Sequence, residues 1–449
     1  MRRAAVLLAL LAAVAPAHGQ DGPGQPADTS AVLDPLLVRM EEDRRPAGWT
    51  GAGLWVPLGS EEVDARRRLS RATLDLLTAR DAEGRSELRA RFSQVAEERD
   101  KLHRMTLRTI ASSPSTRPPV PTLLDVQRAL RPGEALVLYG RDEDRMVALV
   151  VTSSDARRAD LGDRMDAEDR VAAARALLEA EVPDVALAQS TVRRLAVDPL
   201  GLDASVVTVL LGADGALATL PPALLFPDRA VAVLPCVSLL RAARRAPDRA
   251  KFEVLAVGDP AYRPLVGPPM ALPGAAREAR GVGTVALVGP DATRSALLEH
   301  LAGPRRWRAL HLAGRVEPDA ERPLLSSFGL ATTDADDGRW TAREIAQEKI
   351  SADLVVLSTC LACGTACVPD SSASALPCAF LVAGVPSVVG FVGTFEDEGG
   401  ATFTAALYAA LREGASAADA VRRAQARIRA EPGRSHPRHW LGWTLWGLP

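Results

Sequence analysis

The sequence predicts an α/β protein whose central sheet is largely parallel. Three short runs, Val254–Val257, Ala309–Ala313 and Leu354–Ser358, consist mainly of apolar residues, and helical patterns lie between them. Strands that are apolar on both faces belong to parallel sheets covered by helices on both sides. A chain of 449 residues, 47% of them apolar, is long enough for two or three domains with a sizeable core.

The charge balance excludes several function classes. The chain has 54 Lys and Arg against 56 Asp and Glu, a formal net charge of −2. This balance gives no reason to expect binding to nucleic acid or to a membrane surface. Beyond the N-terminus no apolar run reaches the ~18 residues that a spanning helix needs, so we expect no integral membrane segment in the mature chain.

The N-terminus is typical of a secretory signal peptide. Two arginines precede an apolar run over residues 4–14, and small residues at 17 and 19 form a cleavage site before Gln20. This pattern predicts a signal peptide over residues 1–19 and export to the periplasm or the extracellular space, where thiols tend to be oxidised. An uncleaved anchor or a mis-assigned start is the alternative.

Composition divides the rest of the N-terminal region. Residues 20–60 are rich in Gly, Pro and Asp and are predicted to be a linker with short ordered pieces. Residues 61–112 carry apolar residues at helical spacing, interrupted at Gly84, and predict an α-helical hairpin that packs without a binding role. Residues 113–121 form a stiff Pro-rich linker, after which strands and helices alternate.

The residues that could take part in catalysis lie near the carboxyl ends of two predicted strands. In open parallel sheets functional residues occupy loops beyond those ends, here the loops after Ala313 and Ser358. Residues 309–316 are Ala-Leu-His-Leu-Ala-Gly-Arg-Val, and residues 353–360 are Asp-Leu-Val-Val-Leu-Ser-Thr-Cys. An arginine and a cysteine are therefore expected at the same edge of the sheet.

Together these two stretches resemble the CHAT domain, a caspase-like cysteine peptidase module found in bacterial proteins and related to separase. The resemblance covers roughly residues 122–449. Further stretches with the order and spacing of the family are residues 131–136, 272–278, 323–327, 341–345, 380–385, 417–426 and 436–440. The resemblance implies a caspase-like three-layer α/β/α core in a bacterial protein, with a pseudo-caspase half over residues 122–250 and an active-type, caspase-like half over residues 251–449.

The sequence departs from the family at the positions that carry the chemistry. The family's first stretch is His-x-Ala-x-His-Gly, in which the second histidine is the general base and the glycine amide helps to bind the oxyanion. Here Arg315 replaces that histidine and Val316 replaces the glycine. The family's second stretch is Ser-Ala-Cys-Glu-Thr-Gly, whose cysteine is the nucleophile. Cys360 matches it, but Leu-Ala-Cys over residues 361–363 replaces Glu-Thr-Gly.

These departures predict a disabled peptidase site. A cysteine peptidase needs a thiolate and then a proton donor for the leaving amine. The guanidinium of Arg315 could stabilise a thiolate, but it stays protonated and is neither a base nor a useful acid. General acid–base catalysis contributes about 10²–10⁴-fold. The branched side chain of Val316 disfavours conformations open to glycine. We therefore expect a non-proteolytic binding or scaffold module without a cofactor.

The other histidines are poor substitutes for the missing base. His311 also matches the family, but it lies inside the predicted strand, about 13 Å along the chain from position 315. We expect it to pack within the sheet. His436 and His439 lie near the last predicted strand. An active cysteine endopeptidase that uses Cys360 and an unexpected base is the second interpretation.

The cysteines support a third interpretation. Cys363 follows Cys360 in a Cys-x-x-Cys arrangement, and Cys367 is four residues further on. In an oxidising compartment Cys363 could form a disulfide with either neighbour, and a bond to Cys360 would block the nucleophile. Thiol–disulfide activity through Cys360 and Cys363 therefore stays open. No metal site is predicted, because a fourth ligand is missing and the spacing is cramped.

An acidic segment follows one of the last predicted strands. In the family a similar segment lies near the substrate cleft, so the resemblance places Glu396 and Asp397 there. In that position they could favour a basic side chain of a bound peptide, and a solvated acidic loop is the alternative. The expected partner is a protein or a peptide, not nucleic acid.

Overall fold

One mixed β-sheet forms the centre of the structure, which is a computed structural model. The residues that the structure describes are 29–44, 60–78, 86–98, 101–102, 120–213, 215–241, 252–264, 269, 271–319, 323–361, 372–392 and 397–449. Within them the strands are β1 (Glu134–Asp142), β2 (Arg145–Val151), β3 (Ala156–Asp163), β4 (Thr208–Gly212), β5 (Ala230–Val233), β6 (Val254–Gly258), β7 (Val285–Val288), β8 (Ala309–Glu317), β9 (Ser327–Gly329), β10 (Arg339–Thr341), β11 (Val355–Leu361), β12 (Ser387–Phe391) and β13 (Trp443–Gly447).

Helices flank this sheet. They are α1 (Thr29–Arg44), α2 (Ser60–Thr78), α3 (Leu123–Ala129), α4 (Arg164–Glu179), α5 (Val185–Ala196), α6 (Pro222–Leu225), α7 (Pro273–Val282), α8 (Arg294–Ala302), α9 (Ala342–Ile345), α10 (Ser372–Val382), α11 (Asp397–Arg412) and α12 (Ala417–Arg429). Residues 86–98 are also helical. In the described part of the chain, no helix combines the length and the apolar character that crossing a membrane requires.

The strand order joins the two halves of the chain in one sheet. The order is β7-β6-β8-β11-β12-β13-β5-β4-β1-β2-β3, and the β9–β10 hairpin extends the sheet beside the carboxyl-terminal end of β8. The pairs from β7 to β12 and from β13 to β1 are parallel. Trp446 of β13 pairs with Val233 of β5 at the junction of the halves. The predicted α/β class with a mostly parallel sheet is confirmed.

The helices enclose an apolar core on each face of the sheet. Val356 of β11 packs in the core that contains Phe403 and Leu407 of α11. Its neighbour Leu357 packs in the core that contains Phe380 of α10. Because successive side chains of a strand enter opposite cores, both must be apolar, and this explains the unbroken apolar runs in the sequence. Each fully buried side chain of this size contributes about 1.5–3 kcal/mol relative to an exposed one.

Helix α1 lies within the segment 20–60 and packs on the first half of the sheet. Leu37 and Met40 are almost completely buried. The buried carboxylate of Glu41 accepts the backbone N–H of Val237 at 2.8 Å. These tertiary contacts, more than local helix propensity, account for a helix in a segment whose composition predicts a linker.

Helix α2 and the helical residues 86–98 occupy the region of the predicted hairpin. A terminal guanidinium nitrogen of Arg68 on α2 is 2.6 Å from a carboxylate oxygen of Glu98, so the two segments are adjacent there. Both side chains are about half exposed, and an ion pair of this kind contributes little to stability.

A cluster of buried charges attaches α2 to the second half of the chain. Arg66 donates two hydrogen bonds to the carboxylate of Asp337, at 2.8 and 3.0 Å, and one to Glu344 at 3.1 Å. Arg294 of α8 donates to the same oxygen of Glu344 at 2.8 Å. Burial alone would raise the pKa of Glu344, but the two guanidinium groups and the hydrogen bonds from Thr341 together outweigh it and lower this pKa from 4.5 to about 2. The cluster therefore requires an ionised Glu344.

We expect Glu344→Gln to remove an acid-sensitive part of the stability. A carboxyl whose pKa is lowered by folding stabilises the fold above its unfolded pKa, and this contribution is lost as the pH falls through the folded value. The free energy of unfolding of the wild-type chain should therefore decrease between pH 4.5 and about pH 2, and the variant should show a shallower decrease. At pH 7 the variant should be less stable by about 3–5 kcal/mol, the range for breaking a buried ion pair.

Urea denaturation at a series of pH values measures both effects. Glu179→Gln is the control, because Glu179 is exposed and pairs with Arg175 of the same helix. It should change the free energy of unfolding by less than about 0.5 kcal/mol. If the wild-type chain and the Glu344 variant lose stability in parallel with falling pH, the role given to Glu344 is wrong.

Candidate functional site

The candidate site lies at the carboxyl-terminal ends of β8 and β11. The parallel register of the two strands places the backbone of Cys360 opposite Arg315 and that of Leu361 opposite Val316. Neighbouring strands are about 4.8 Å apart. The position of the family's nucleophile and the position of its base are therefore adjacent in the sheet.

Both positions lie inside strands, which corrects the prediction that they occupy loops after Ala313 and Ser358. Strand β8 continues to Glu317 and β11 continues to Leu361. The added length has a physical reason. Strand β11 pairs along one side of β8 as far as Val316, and β9 pairs along the other side at the last two residues. Pairing on both sides satisfies backbone groups that would otherwise need other partners.

Arg315 lines a small pocket between the ends of β6, β8 and β9. The other lining residues are Asp259, Pro260, Tyr262, Pro264, Leu272 and Gly329. The side chain of Arg315 is 26% exposed, and its Nε atom is 3.9 Å from Oε1 of Glu317. This separation is too long for a hydrogen bond, and within the described ranges Nε has no hydrogen-bond partner. The Nε atom itself is buried, so only the exposed part of the guanidinium is able to donate to a ligand in the pocket.

Two polar residues of the pocket wall are held in unusual environments. Asp259 has a φ of 45°, which is a strained conformation for a residue other than glycine. Its Oδ1 atom accepts the N–H of Leu272 at 2.8 Å, and this bond fixes the start of α7 at the pocket. Burial raises the pKa of Tyr262, and the neighbouring charge of Glu317 raises it further. The Tyr262 phenol is therefore neutral at physiological pH.

Val316, in the place of the family's oxyanion glycine, belongs to the core of the sheet. It is 3% exposed. Its backbone is paired with Leu361 on one side and with Phe328 on the other. A glycine in a turn can direct its N–H at a substrate oxygen, whereas the backbone of Val316 belongs to two ladders. Val316 keeps a backbone N–H, but this group lies in the sheet and not in a turn.

His311 lies in the interior between the sheet and two helices. Its Nε2 atom is 3.2 Å from Oε1 of Glu278 on α7, and its Nδ1 atom is 3.3 Å from the hydroxyl of Tyr408 on α11. All three side chains are almost completely buried. Burial raises the pKa of Tyr408, and the charge of Glu278 adds to this effect. The expectation that His311 packs within the sheet is confirmed, and both of its ring nitrogens face Glu278 or Tyr408.

Three further histidines have neighbours of their own. The ring of His300 lies edge-on to Trp307, with 6.3 Å between the centroids. The Nδ1 atom of His436 accepts the N–H of Arg438 at 3.1 Å. The Nε2 atom of His439 is 3.4 Å from Nε of Arg438. Each of these three imidazoles therefore contacts residues that are close to it in the chain.

Several predicted site residues lie outside the described residues. They are Cys363, Cys367 and Glu396, so the disulfides and the acidic side of the cleft stay predictions. Asp397 is the first residue of α11. Across the described ranges, no group of His, Cys, Asp and Glu side chains is placed to hold a metal ion.

Two cysteines outside the candidate site are buried in the same apolar core, and one of them belongs to α10. They are Cys236 and Cys378. Burial raises the pKa of Cys378 to about 12, and the neighbouring Cys236 contributes. At neutral pH the Cys378 thiol is therefore uncharged and a poor nucleophile.

Comparison with known proteins gave one matching family model and a set of similar solved structures. The family model of the CHAT domain matches residues 158–447. Among solved structures the chain is similar to the Arg-specific cysteine proteinase gingipain R, with 10% sequence identity, a TM-score of 0.39 and coverage of 64% of this chain and 74% of that chain. It is also similar to the Saccharomyces cerevisiae separase–securin complex, with 10% identity, a TM-score of 0.35 and coverage of 88% of this chain but only 28% of that chain. The comparison with curated proteins gave no match.

We expect His311→Ala to act on stability. Removal of the ring leaves a cavity between α7 and α11 and leaves the carboxylate of Glu278 buried without its neighbour, so the free energy of unfolding should fall by about 2–5 kcal/mol. Urea denaturation at pH 7 measures the change. His436→Ala is the control and should cost about 1 kcal/mol or less, because it removes one hydrogen bond near the surface. Unchanged stability of the His311 variant would refute the structural role.

Proposed function

Because the chain belongs to the CHAT domain family, we propose that it is a non-proteolytic member that binds a protein or peptide where the family's peptidases hold their substrate. The observation that carries the proposal is the register of β8 and β11, which sets Arg315 opposite Cys360. A second observation supports it. Both ring nitrogens of His311, the other family histidine, face buried partners.

The chemistry of the arginine at the position of the general base argues against peptide hydrolysis. Cleavage of a peptide by a thiol requires a group that takes the thiol proton and later gives one to the leaving amine. A guanidinium keeps its proton under all conditions in which proteins are folded, so Arg315 can stabilise negative charge without moving a proton. Loss of the general base lowers turnover about 10²–10⁴-fold. Loss of the glycine oxyanion donor lowers it by about another 10²–10³-fold.

The same features favour binding. The pocket combines the guanidinium of Arg315 with the carboxylate of Asp259 and the ring of Tyr262. The pocket has a volume of about 10 Å³, which is the space of roughly one water molecule, so it suits one small polar group of a bound peptide. If Glu396 and Asp397 lie beside the cleft, as the family resemblance implies, they add a preference for a basic side chain.

The N-terminal pattern supports export as part of the proposal. Residues 1–19 have the charged, apolar and small-residue regions of a signal peptide. We expect the protein from its bacterial host to be recovered from the periplasm or the medium with Gln20 as its first residue. N-terminal sequencing of the native protein measures this. A native chain that keeps residues 1–19 and stays in the cytoplasm would rule out export.

Restoring the two family residues should restore peptide hydrolysis. We expect the double variant Arg315→His, Val316→Gly to cleave members of a random peptide library, because an imidazole can exchange protons near neutral pH and glycine can adopt the oxyanion turn. The wild-type chain should show no turnover. Both are assayed after reduction, so that a disulfide of Cys360 cannot mask the result, and mass spectrometry detects the products.

Three further samples make the result specific. Arg315→His alone should regain less activity than the double variant, since Val316 still lacks the turn. Cys360→Ala in the double variant should abolish all turnover. If the reduced wild-type chain itself cleaves the library and Cys360→Ala abolishes this cleavage, the non-proteolytic assignment is wrong and the chain is a working endopeptidase.

A further inference from the structure

We infer that Arg66 of α2 is a positioning residue for the candidate site. It fixes the β9–β10 hairpin, and through the hairpin it controls how strongly Glu317 interacts with Arg315. The inference rests on the proposed function, because it concerns the cation that lies opposite Cys360. Three contacts connect Arg66 to that cation.

The first contact joins α2 to the turn of the hairpin. Arg66 bonds both oxygens of Asp337, which is 1% exposed, and donates to the carbonyl of Arg339 at 2.8 Å. Ser70, one turn further along α2, accepts the N–H of Asp337 at 3.0 Å. Asp337 in turn accepts the N–H of Arg339 at 3.1 Å. Helix α2 therefore holds this turn through the side chain of Asp337 and through the backbone of Asp337 and Arg339.

The second contact joins the hairpin to β8. Strand β9 pairs with Val316 and Glu317, the residues that follow Arg315. Gly329 at the end of β9 lies so close to Tyr262 that a Cβ atom there would be 2.8 Å from the ring. The hairpin is thus one wall of the pocket that contains Arg315, and a displacement of the hairpin would alter that wall.

The third contact is a carboxylate shared by two arginines. One oxygen of Glu317 is 3.5 Å from Nε of Arg339, and the other is 3.9 Å from Nε of Arg315. The two guanidinium groups compete for one negative charge, and the hydroxyl of Tyr262 also lies beside this carboxylate. If the hairpin moved away with Arg339, Glu317 would interact more strongly with Arg315 and reduce the positive potential at position 360. Opposite charges separated by about 4 Å or less interact strongly at a partly buried edge of a protein.

Loss of Arg66 would start this sequence of changes. Asp337 is buried, and among the described residues Arg66 is the cationic side chain that bonds its carboxylate. A buried carboxylate without its cation is strongly unfavourable, so the turn would have to move toward water. Arg294 of α8 also bonds this turn, at Asp336 and at the carbonyl of Arg339. Loss of Arg66 would therefore loosen the hairpin and Arg339 without releasing them completely.

The experiment measures the pH midpoint of Cys360 alkylation by iodoacetamide, because the thiolate is the reactive form of cysteine. It uses the full chain, reduced, with Cys363→Ser and Cys367→Ser so that peptide mass assigns the label to Cys360. Arg315→Gln should raise the midpoint by about one pH unit. Arg66→Ala should raise it by at least about half as much. In a chain that already carries Arg315→Gln, Arg66→Ala should have no further effect.

Two variants of α2 provide controls. Arg67→Ala changes the neighbouring arginine, which is exposed and pairs with Asp64, and it should leave the midpoint unchanged. Ser70→Ala removes one hydrogen bond to the same turn and should raise the midpoint by less than Arg66→Ala does. If Arg66→Ala does not fold, Ser70→Ala carries the test.

The outcomes separate the inference from the proposed function. If Arg315→Gln does not change the midpoint, the cation–thiolate premise of the proposed function fails. If Arg315→Gln raises the midpoint but neither α2 variant does, the inference alone is overturned. It is also overturned if Arg66→Ala raises the midpoint equally in the presence of Arg315→Gln, because the hairpin would then act on Cys360 without Arg315.

Discussion

The parallel pairing of β8 with β11 is the constraint on which the candidate site depends. Seven consecutive residues of each strand are in register, ending with Val316 opposite Leu361, and this register places Arg315 beside Cys360. Both strands contribute to apolar cores on both faces of the sheet. A shift by one residue would move each side chain into the opposite core. The packing of the two cores therefore determines the geometry of the site, including the place of the arginine.

Strongly apolar strands could be predicted from sequence, whereas strands that carry charged residues or are very short could not all be. An unbroken apolar run such as Val254–Val257 is unambiguous, because it is buried on both faces. Strand β3 lies at the edge of the sheet and carries Arg157 and Arg158, so its sequence has no strand pattern, and its pairing with β2 defines it. The carboxyl-terminal extension of β8 depends on β9, which has three residues, Ser327–Gly329, and is too short to show a period.

The candidate site was predictable to the extent that it follows a linear motif. Arg315 and Cys360 each stand within a stretch that resembles the family, so their positions could be compared one by one. The partners of His311 could not be predicted in this way, because Tyr408 is 97 residues away in the chain. The same applies to Arg66, which is 271 residues from Asp337. Only the folded chain brings such residues together, and no local pattern distinguishes them from other buried or surface positions.

An arginine in the place of a histidine changes a proton-transferring site into one of constant charge. A histidine gains and loses a proton between pH 5 and 8 in ordinary environments, at about the pH where enzymes work, whereas a guanidinium does not. A neighbour of Arg315 in the pocket is similar in this respect. Tyr262 is held neutral by burial and by the charge of Glu317. Turnover requires a group that changes its protonation state in every cycle. Groups that keep one protonation state across the neutral pH range do not meet this requirement. They provide a fixed arrangement of charge instead, and a ligand of complementary charge can bind to it.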